Sequence, residues 1–322
     1  MEQVQLRVAQ IWSQAGGIKG FELVSPTGAA LPPFSAGAHV LVHLPNGLVR
    51  QYSMCNDPSE THRYEIGVLR APEGRGGSAF MHDGVKIGDT LTIDLPRNNF
   101  ELREDAADYV LIAGGIGVTP LLAMAHRLNR LGKRYKLYYC TRAKESTAYL
   151  ERLSGDAFAE RVNFVHDGGD PAKGLDVKTL LKAVPANARL YCCGPTGLMN
   201  AVKAAASHWP AERVHFEAFS ADPSAKPAAP AGGDQSFEIE LARSGKVLTV
   251  AADTSILEVL RDQGINIPSA CEEGICGTCI VNVLEGEPDH RDQILTDEEK
   301  ASNDCITVCC SRSKTARLKL DL

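Results

Sequence analysis

Hydrophobic and polar residues alternate in short runs along the first third of the chain, and Gly and Pro separate these runs. The runs HVLVHLP, VRQYSM, YEIGVLR and DTLTIDLP have the period of two, or the enrichment in β-formers, that is typical of strands. Short strands joined by Gly/Pro turns favour an antiparallel barrel. We therefore predict a β-barrel domain over residues 1–103.

The pattern changes near residue 105 to apolar strands that alternate with helices. The run DYVLIAGG precedes the helical segment PLLAMAHRLNRLG, and the strand-like runs YKLYYC, VNFVHD and ARLYCCGP follow. Strands that alternate with helices predict a doubly wound α/β domain, here over residues 104–222. Residues 223–236 are rich in Ala, Pro and Gly, and we interpret them as a linker to a C-terminal module, residues 237–322.

The composition is that of an ordinary globular protein, with 44% hydrophobic and 23% charged residues. No stretch approaches the roughly 18 apolar residues of a membrane span, and the first residues lack the pattern of a signal peptide. We therefore expect a cytoplasmic protein without a membrane partner. Its ten cysteines include the vicinal pairs Cys192-Cys193 and Cys309-Cys310, which favours free thiols or metal ligands over disulfides.

The net negative charge is concentrated in the C-terminal module. Residues 237–322 contain 16 Asp/Glu and 9 Lys/Arg, a net charge of -7, whereas the rest of the chain has a net charge of +1. Nucleic-acid binding needs a basic surface, so this distribution argues against a nucleic-acid partner. A simple solvated acidic surface is the alternative to an acidic docking surface.

The same module contains the cysteine spacing of a plant-type [2Fe-2S] protein. Cys271, Cys276 and Cys279 form C-x4-C-x2-C, and Cys309 follows after 29 further residues. Thiolates suit iron because soft sulfur binds it tightly and delocalises the charge that one-electron transfer creates. The alternatives are a zinc site, which prefers C-x2-C pairs, and a set of buried cysteines.

The segment DCITVCCSR offers three cysteines for the fourth ligand position, Cys305, Cys309 and Cys310. We interpret ITVCC as a strand, in which Cys309 and Cys310 would point to opposite faces. Only one of them would then face the ligand loop, and the spacing favours Cys309. In that loop, Gly274 and Gly277 would let the backbone wrap closely around a cluster.

A second candidate site lies in YVLIAGGIGVTPLLAMA, where a strand ends and a helix begins. Gly114, Gly115 and Gly117 allow a tight backbone, and Pro120 suits the first turn of a helix. A helix N-terminus with bare glycine amides receives a diphosphate, although such turns also serve plain strand-helix packing.

The later run YCCGPTGLM supports this nucleotide site. It places Cys193, Gly194 and Pro195 at the carboxyl edge of the same predicted sheet, where the rest of a dinucleotide must reach.

A third candidate site combines RQYSM with GRGGSAFM. Arg50 can pair with a phosphate and Tyr52 can stack on a flat ring, while Gly76, Gly77 and Ser78 can donate amides and a hydroxyl to that phosphate at the start of a short helix. Alone, these residues favour an ordinary barrel aromatic and a turn over a flavin site. However, nicotinamide delivers two electrons together and a [2Fe-2S] cluster accepts one at a time, and flavin is the common cofactor that connects them.

The combination resembles the phthalate dioxygenase reductase family, within the ferredoxin-NADP reductase-like superfamily. The resemblance covers essentially the whole chain and is carried by RQYS, GGS, GGIGVTP, CGP, HFEAF, CEEGICGTC and CCSR. It implies an antiparallel β-barrel flavin domain, a doubly wound α/β nucleotide domain and an α+β β-grasp ferredoxin domain. It also implies an NADH-dependent reductase that passes electrons through FMN and a [2Fe-2S] cluster to a Rieske non-haem iron terminal oxygenase, and that works as a monomer.

The resemblance also assigns residues to these sites. It implies that Phe219 lies near the flavin ring and Cys193 near the reacting nicotinamide carbon, and it gives catalytic roles to Ser53, Cys193 and Phe219. The cofactor-binding residues are Arg50, Gln51, Tyr52, Ser53, Gly67, Gly76, Gly77, Ser78, Gly114, Gly115, Gly117, Thr119, Pro120, Arg142, Cys193, Gly194, Pro195 and Phe219. The metal ligands are Cys271, Cys276, Cys279 and Cys309.

Three alternatives remain beside this function. Arg142 and Lys144 follow a predicted strand and can hold the 2'-phosphate of NADPH, although the resemblance favours NADH. The chain can also be a non-catalytic ferredoxin carrier fused to a regulatory nucleotide-binding domain. The third alternative is a reductase for a soluble di-iron monooxygenase, but such reductases usually have the ferredoxin domain at the N-terminus.

Overall fold

The computed structural model describes residues 2–71, 75–222 and 233–322. The chain forms two compact units, Met1–Phe219 and Ser220–Leu322. Most of the predicted linker, residues 223–232, lies outside the described residues, and the predicted domain boundaries stay predictions. Among the helices that the structure describes, none combines the length and the apolar character that crossing a bilayer requires.

The first unit begins with an antiparallel barrel. Its strands are β1 (Gln3–Ala15), β2 (Ile18–Val24), β3 (His39–His43), β4 (Val49–Ser53), β5 (Arg63–Leu69) and β6 (Thr90–Asp94). They are arranged in the order β4-β3-β6-β1-β2-β5, and a bridge between Met54 and Ile66 joins the two ends of the sheet. Alternate side chains such as Leu6 and Phe21 fill the interior, as the period of two requires. A short helix, α1 (Gly77–Asp83), precedes β6.

The barrel is followed by a parallel sheet with helices. The strands are β7 (Asp108–Gly114), β8 (Arg134–Thr141), β9 (Val162–His166), β10 (Ala188–Cys193) and β11 (Val214–Glu217). The helices are α2 (Val118–Arg130), α3 (Leu150–Ser154), α4 (Val177–Leu180) and α5 (Thr196–Ala205). The strand order β11-β10-β7-β8-β9 reverses direction at β7, so the crevice between the carboxyl ends of β7 and β10 is the expected ligand position.

The second unit is a small mixed sheet with a helix packed on it. The strands are β12 (Phe237–Leu241), β13 (Val247–Val250), β14 (Ile280–Glu285), β15 (Pro288–Asp289), β16 (Cys305–Thr307), β17 (Arg312–Ser313) and β18 (Arg317–Leu320). The helices are α6 (Ile256–Asp262) and α7 (Asp297–Ser302). The main sheet has the order β13-β12-β18-β14-β16, and β12 pairs with β18 in parallel. Apolar residues of α6 cover this sheet, which confirms the predicted β-grasp architecture.

The helix α6 begins at a capping box that the sequence contains. The Ser255 hydroxyl accepts a hydrogen bond from the Glu258 amide (3.1 Å), and the Glu258 carboxylate accepts one from the Ser255 amide (2.8 Å). These bonds satisfy amides that would otherwise lack partners in the first turn of the helix.

The predicted strand ITVCC is shorter than expected, and this part of the prediction is wrong. Strand β16 ends at Thr307, and residues 308–310 form a turn. The Ser311 amide donates to the Thr307 carbonyl (3.1 Å), and the two side-chain hydroxyls are 2.8 Å apart, which closes the turn. The alternation of strand faces therefore does not apply to Cys309 and Cys310.

Candidate active site and metal centre

Strand β4 carries predicted flavin-binding residues whose polar atoms are buried without partners. Gln51 Oε1, Tyr52 OH and Ser53 Oγ have no hydrogen-bond partner among the described residues. Burial raises the pKa of Tyr52, so its hydroxyl stays protonated. Because buried polar groups are nearly always hydrogen bonded, these atoms fit a bound ring system that carries polar groups, such as a flavin.

The other predicted flavin residues meet at the start of α1. The Arg50 side chain lies directly over Gly77, where a Cβ atom would be 2.6 Å from Arg50 Cγ. Gly76 precedes the helix with φ of 81°, a left-handed conformation that favours glycine. The Ser78 hydroxyl accepts a hydrogen bond from the Ala71 amide (3.0 Å). The structure thus brings a guanidinium to the loop that the sequence predicts to bind phosphate.

The two predicted nucleotide-binding turns pack against each other through glycines. A Cβ atom on Gly194 would lie 2.8 Å from the Gly114 nitrogen, and a Cβ atom on Gly117 would overlap the Cys193 carbonyl. Strands β7 and β10 are parallel neighbours, with Ala113 opposite Cys193. The crevice at this strand reversal is therefore shaped by backbone atoms, and the binding of a diphosphate there stays a prediction.

The adjoining residues complete this turn. Gly115 adopts φ of 52°, and the Thr119 hydroxyl donates to the Ile116 carbonyl (3.0 Å). Pro120 lies in the first turn of α2, where its missing amide proton costs no hydrogen bond. Pro195 Cδ lies 2.5 Å from the position of a Cβ atom on Gly114, so the two turns are in close contact here too.

Ser53 of the barrel and Cys193 of the nucleotide domain meet at a buried carboxyl group, that of Glu217. Strand β11 pairs Glu217 directly with Cys193, and the Ser53 hydroxyl lies near the Glu217 carboxyl, although the two do not form a hydrogen bond of standard geometry. Burial raises the pKa of Glu217 to about 8, and the Ser53 hydroxyl acts in the opposite direction. Burial, and then the charge of Glu217, raise the pKa of Cys193. Both groups are therefore held mainly uncharged at neutral pH.

Sequence reasoning missed Glu217 as a site residue, although it lies within the quoted run HFEAF. Its Oε2 atom is buried and has no hydrogen-bond partner in the part of the chain that the structure describes. The available signal was an acidic residue inside an otherwise apolar strand, since an unpaired carboxylate is rarely buried without a function.

Three predicted residues lie away from this centre or at its margin. Phe219 follows β11 and is 40% exposed to solvent. Gly67 lies where β5 packs against the nucleotide domain, and a Cβ atom there would be 2.6 Å from Tyr149 OH and 2.9 Å from Thr119 Cγ2. Arg142 is exposed after β8, which lies two strands from β10. The cofactor contacts of these three residues stay predictions.

The predicted metal ligands lie as two pairs of thiols. Cys271 is hydrogen bonded to Cys276, and Cys279 to Cys309, which is also hydrogen bonded to Cys310. Within the first pair, the hydrogen bond lowers the pKa of Cys276 to about 5 and raises that of Cys271. Within the second, it lowers the pKa of Cys279 and raises that of Cys309. The four cysteines match, in number and type, the ligands of a two-iron cluster, although the described residues gather no three ligating side chains closely enough to hold one metal ion.

The loop that carries three of these cysteines is tightly folded, as a cluster site requires. Glu272, Gly274 and Gly277 all have left-handed backbones, with φ of 50°, 74° and 71°. A Cβ atom on Gly274 would lie 2.5 Å from Cys310 Sγ and 3.0 Å from Asp292 Cα, so only glycine fits there. The donor set and the loop therefore fit a [2Fe-2S] cluster.

Comparison with known proteins agrees with this geometry. Residues 239–314 match the family described as the 2Fe-2S iron-sulfur cluster binding domain. The chain is 47% identical to the reductase subunit of tert-butanol monooxygenase / tert-amyl alcohol desaturase from Aquincola tertiaricarbonis, covering 99% of this chain and 96% of that protein. It is 44% identical to phthalate dioxygenase reductase from Burkholderia cepacia, covering 99% and 97%.

A solved structure of phthalate dioxygenase reductase is similar over the whole chain. The TM-score is 0.78 at 44% identity, and the match covers 99% of this chain and 98% of the other. Its title describes a modular structure for electron transfer from pyridine nucleotides to [2Fe-2S]. Identity at this level over nearly the full length of both chains shows shared ancestry as well as shared fold. The chain therefore belongs to the phthalate dioxygenase reductase family of oxidoreductases.

Proposed function

We propose that this protein is an NADH-dependent reductase that passes electrons through FMN and a [2Fe-2S] cluster to a Rieske-type terminal oxygenase. The observation that carries this proposal is the meeting of Ser53, Cys193 and Glu217. At this point β4 of the barrel, which carries the unpartnered polar atoms, lies next to the carboxyl edge of the nucleotide-binding sheet. A carrier without catalysis has no need for such a junction.

The residues of this junction form a surface that is uncharged and largely shielded from water. Glu217, with its raised pKa, is mainly protonated at neutral pH, and its Oε2 atom can form a hydrogen bond with a bound group. The buried Cys193 thiol stays neutral beside the predicted nicotinamide position. When bound, the flavin accepts two electrons together and releases them singly, and the iron-sulfur cluster carries single electrons.

The phosphate-binding residues support FMN as the flavin. Arg50 lies over Gly77 at the start of α1, which suits a terminal monophosphate. We propose NADH as the donor from the family membership. Arg142 is exposed, and the structure describes no ion pair for its side chain, so it is the residue to test for any use of NADPH.

The partner is proposed from the relatives. Two of them are named as the reductases of a phthalate dioxygenase and a tert-butanol monooxygenase, and we infer an oxygenase of the Rieske type for this chain. The four paired cysteines of the second unit form the exit point for single electrons. We propose that the reductase works as a monomer.

Anaerobic titration of the purified holoprotein with NADH tests this function. NADH should bleach the flavin absorbance and then produce the rhombic EPR signal of a reduced [2Fe-2S] cluster. Flavin released by acid should migrate as FMN on chromatography. An unchanged flavin spectrum in excess NADH would refute a reductase function, and recovery of one FAD per chain would refute the FMN assignment alone.

A further inference from the structure

Helix α3 of the nucleotide domain contacts the barrel through a buried polar cluster that the proposed reaction does not use. The Tyr149 hydroxyl and the Cys55 thiol are hydrogen bonded at 3.2 Å, and both side chains are buried. The Cys55 thiol also donates to the Glu65 carbonyl on β5 (3.2 Å). The Tyr149 amide donates to Gln14 Oε1 on β1 (3.1 Å), so this residue contacts the barrel at two places.

An ion pair between a fully buried carboxylate and a partly exposed guanidinium strengthens the same contact. Arg152 of α3 donates to Glu65 Oε2 (2.9 Å), and the Glu65 side chain has no exposed surface. Arg63 lies 3.5 Å from the same oxygen. The Arg152 guanidinium also lies 5.3 Å from the centre of the Tyr149 ring, which holds both residues together as one unit.

This cluster lies directly beside the nucleotide-binding turn. Glu65 and Gly67 are two residues apart on β5 and therefore face the same side. A Cβ atom on Gly67 would lie 2.6 Å from Tyr149 OH, and it would also lie within 3.3 Å of Thr119 and Ile116, which follow β7. Because Gly67 has no Cβ atom, the barrel and the nucleotide domain can approach each other closely at this point. This close contact sets the position of the turn relative to the barrel.

The cluster has features that general stability does not explain. Tyr149 adopts φ of 58°, a left-handed backbone that side chains of its size rarely adopt. A buried ion pair is weak evidence for stability, because desolvation offsets much of its attraction and apolar packing often replaces it without loss. Buried polar contacts do, however, select one orientation of two packed surfaces.

We propose that Tyr149 and Arg152 are positioning residues, which hold the nucleotide-binding turn at the distance and orientation from which NADH reduces the flavin. This inference rests on the proposed function and adds residues to which no cofactor contact is assigned, although Tyr149 lies against the predicted cofactor-binding residue Gly67. Small misplacements of reacting groups cost up to about 100-fold in rate, so a loosened contact should slow flavin reduction rather than weaken NADH binding.

Stopped-flow reduction of the flavin by NADH, with the full-length holoprotein and without oxygen, tests the proposal. Arg152→Met should lower the limiting rate at saturating NADH by about 10-fold or more. Tyr149→Phe, which removes only the hydroxyl, should lower it by about 3-fold, since the ring remains in place. The apparent Kd for NADH and the flavin content should change little in both variants.

Arg152→Lys should retain more of the rate than Arg152→Met, because it keeps the charge beside Glu65. Arg134→Met is the matched control, since Arg134 forms an exposed ion pair with Asp108 (2.6 Å) in the same domain. We expect this control to leave the limiting rate unchanged.

An Arg152→Met protein that binds flavin and keeps the wild-type limiting rate would overturn the inference, even if its Tm were lower. If Arg152→Met does not fold, wild-type rates in both Tyr149→Phe and Arg152→Lys would overturn it. Failure of the wild-type flavin to be reduced by NADH would instead refute the proposed function.

Discussion

Cys309 and Cys310 are adjacent in the sequence, but their thiols have different surroundings. The Cys309 thiol is hydrogen bonded to Cys279 and to Cys310, whereas the Cys310 thiol is hydrogen bonded to Cys309, lies 3.4 Å from the Thr307 hydroxyl and lies against the backbone of Gly274. The turn that follows β16 permits both thiols to lie near the loop, and the difference between them is that Cys309 is the one hydrogen bonded to Cys279, another predicted ligand. We therefore keep Cys309, which the spacing also favours, as the predicted fourth ligand.

Substitution of these two cysteines should have opposite effects. Cys309→Ala should abolish the rhombic EPR signal and electron transfer to one-electron acceptors, while NADH still reduces the flavin in the first unit. Cys310→Ala should keep the EPR signal and lower the free energy of unfolding by about 1 kcal/mol, the typical effect of truncating a small, partly buried side chain. An intact EPR signal in Cys309→Ala together with its loss in Cys310→Ala would reverse the assignment.

Among the secondary-structure elements, the contact between β7–α2 and β10–α5 determines the nucleotide crevice. The two turns touch through backbone atoms because Gly114, Gly117 and Gly194 lack side chains at the contact. A side chain at any of these positions would separate the two strand ends. Glycine is thus required here for close approach, in addition to any contact with phosphate.

Gly117→Ala should disrupt this contact, because its Cβ atom would overlap the Cys193 carbonyl backbone. Overpacking of this kind typically costs about 1–3 kcal/mol of unfolding free energy, and the shifted turn should also slow flavin reduction by NADH. Gly197→Ala is the control, because a Cβ atom there has no neighbour within 4 Å and lies in α5.

In a helix, alanine is favoured over glycine by up to about 1 kcal/mol, so Gly197→Ala should keep or raise Tm. Thermal unfolding and stopped-flow reduction of both variants measure these effects. Equal Tm and equal rates for Gly117→Ala and wild type would show that the turns after β7 and β10 can separate without affecting stability or flavin reduction.

At the scale of the whole molecule, the net charge of the flavin and nucleotide domains differs from that of the iron-sulfur domain. The C-terminal 86 residues, from Phe237, carry a net charge of -7, and the remainder carries +1. A surplus of one sign creates a field that extends beyond single contacts and guides association with a partner of opposite sign. We therefore expect the second unit to dock on the oxygenase through its acidic surface.

Electron transfer from the reduced protein to its oxygenase should accordingly slow as ionic strength rises. The Debye length falls from about 10 Å at 0.1 M salt to about 3 Å at 1 M, which screens most of this attraction. Flavin reduction by NADH in the same salt series is the internal control and should change much less. Equal rates of transfer to the oxygenase at low and high salt would exclude acidity as the docking determinant.

The sequence by itself determined the order and type of the three folded parts. Strand and helix periodicity, the glycine turn after Ala113 and the spacing of the four cysteines are local patterns, since each depends on residues that are close together in the chain. The observed barrel, parallel sheet and β-grasp confirm the predicted fold class. Local patterns could identify these helices and strands because backbone geometry alone sets how often a side chain returns to the same face of each element.

Only the tertiary structure decided which distant residues share a site. Ser53, Cys193 and Glu217 come from three strands, and the packing of the barrel on the parallel sheet brings them together. The same packing places Gly67 against Tyr149. No local spacing encodes such contacts, because they depend on the register and angle between elements far apart in the chain. The burial that raises the pKa of Glu217 exists only once those elements have packed.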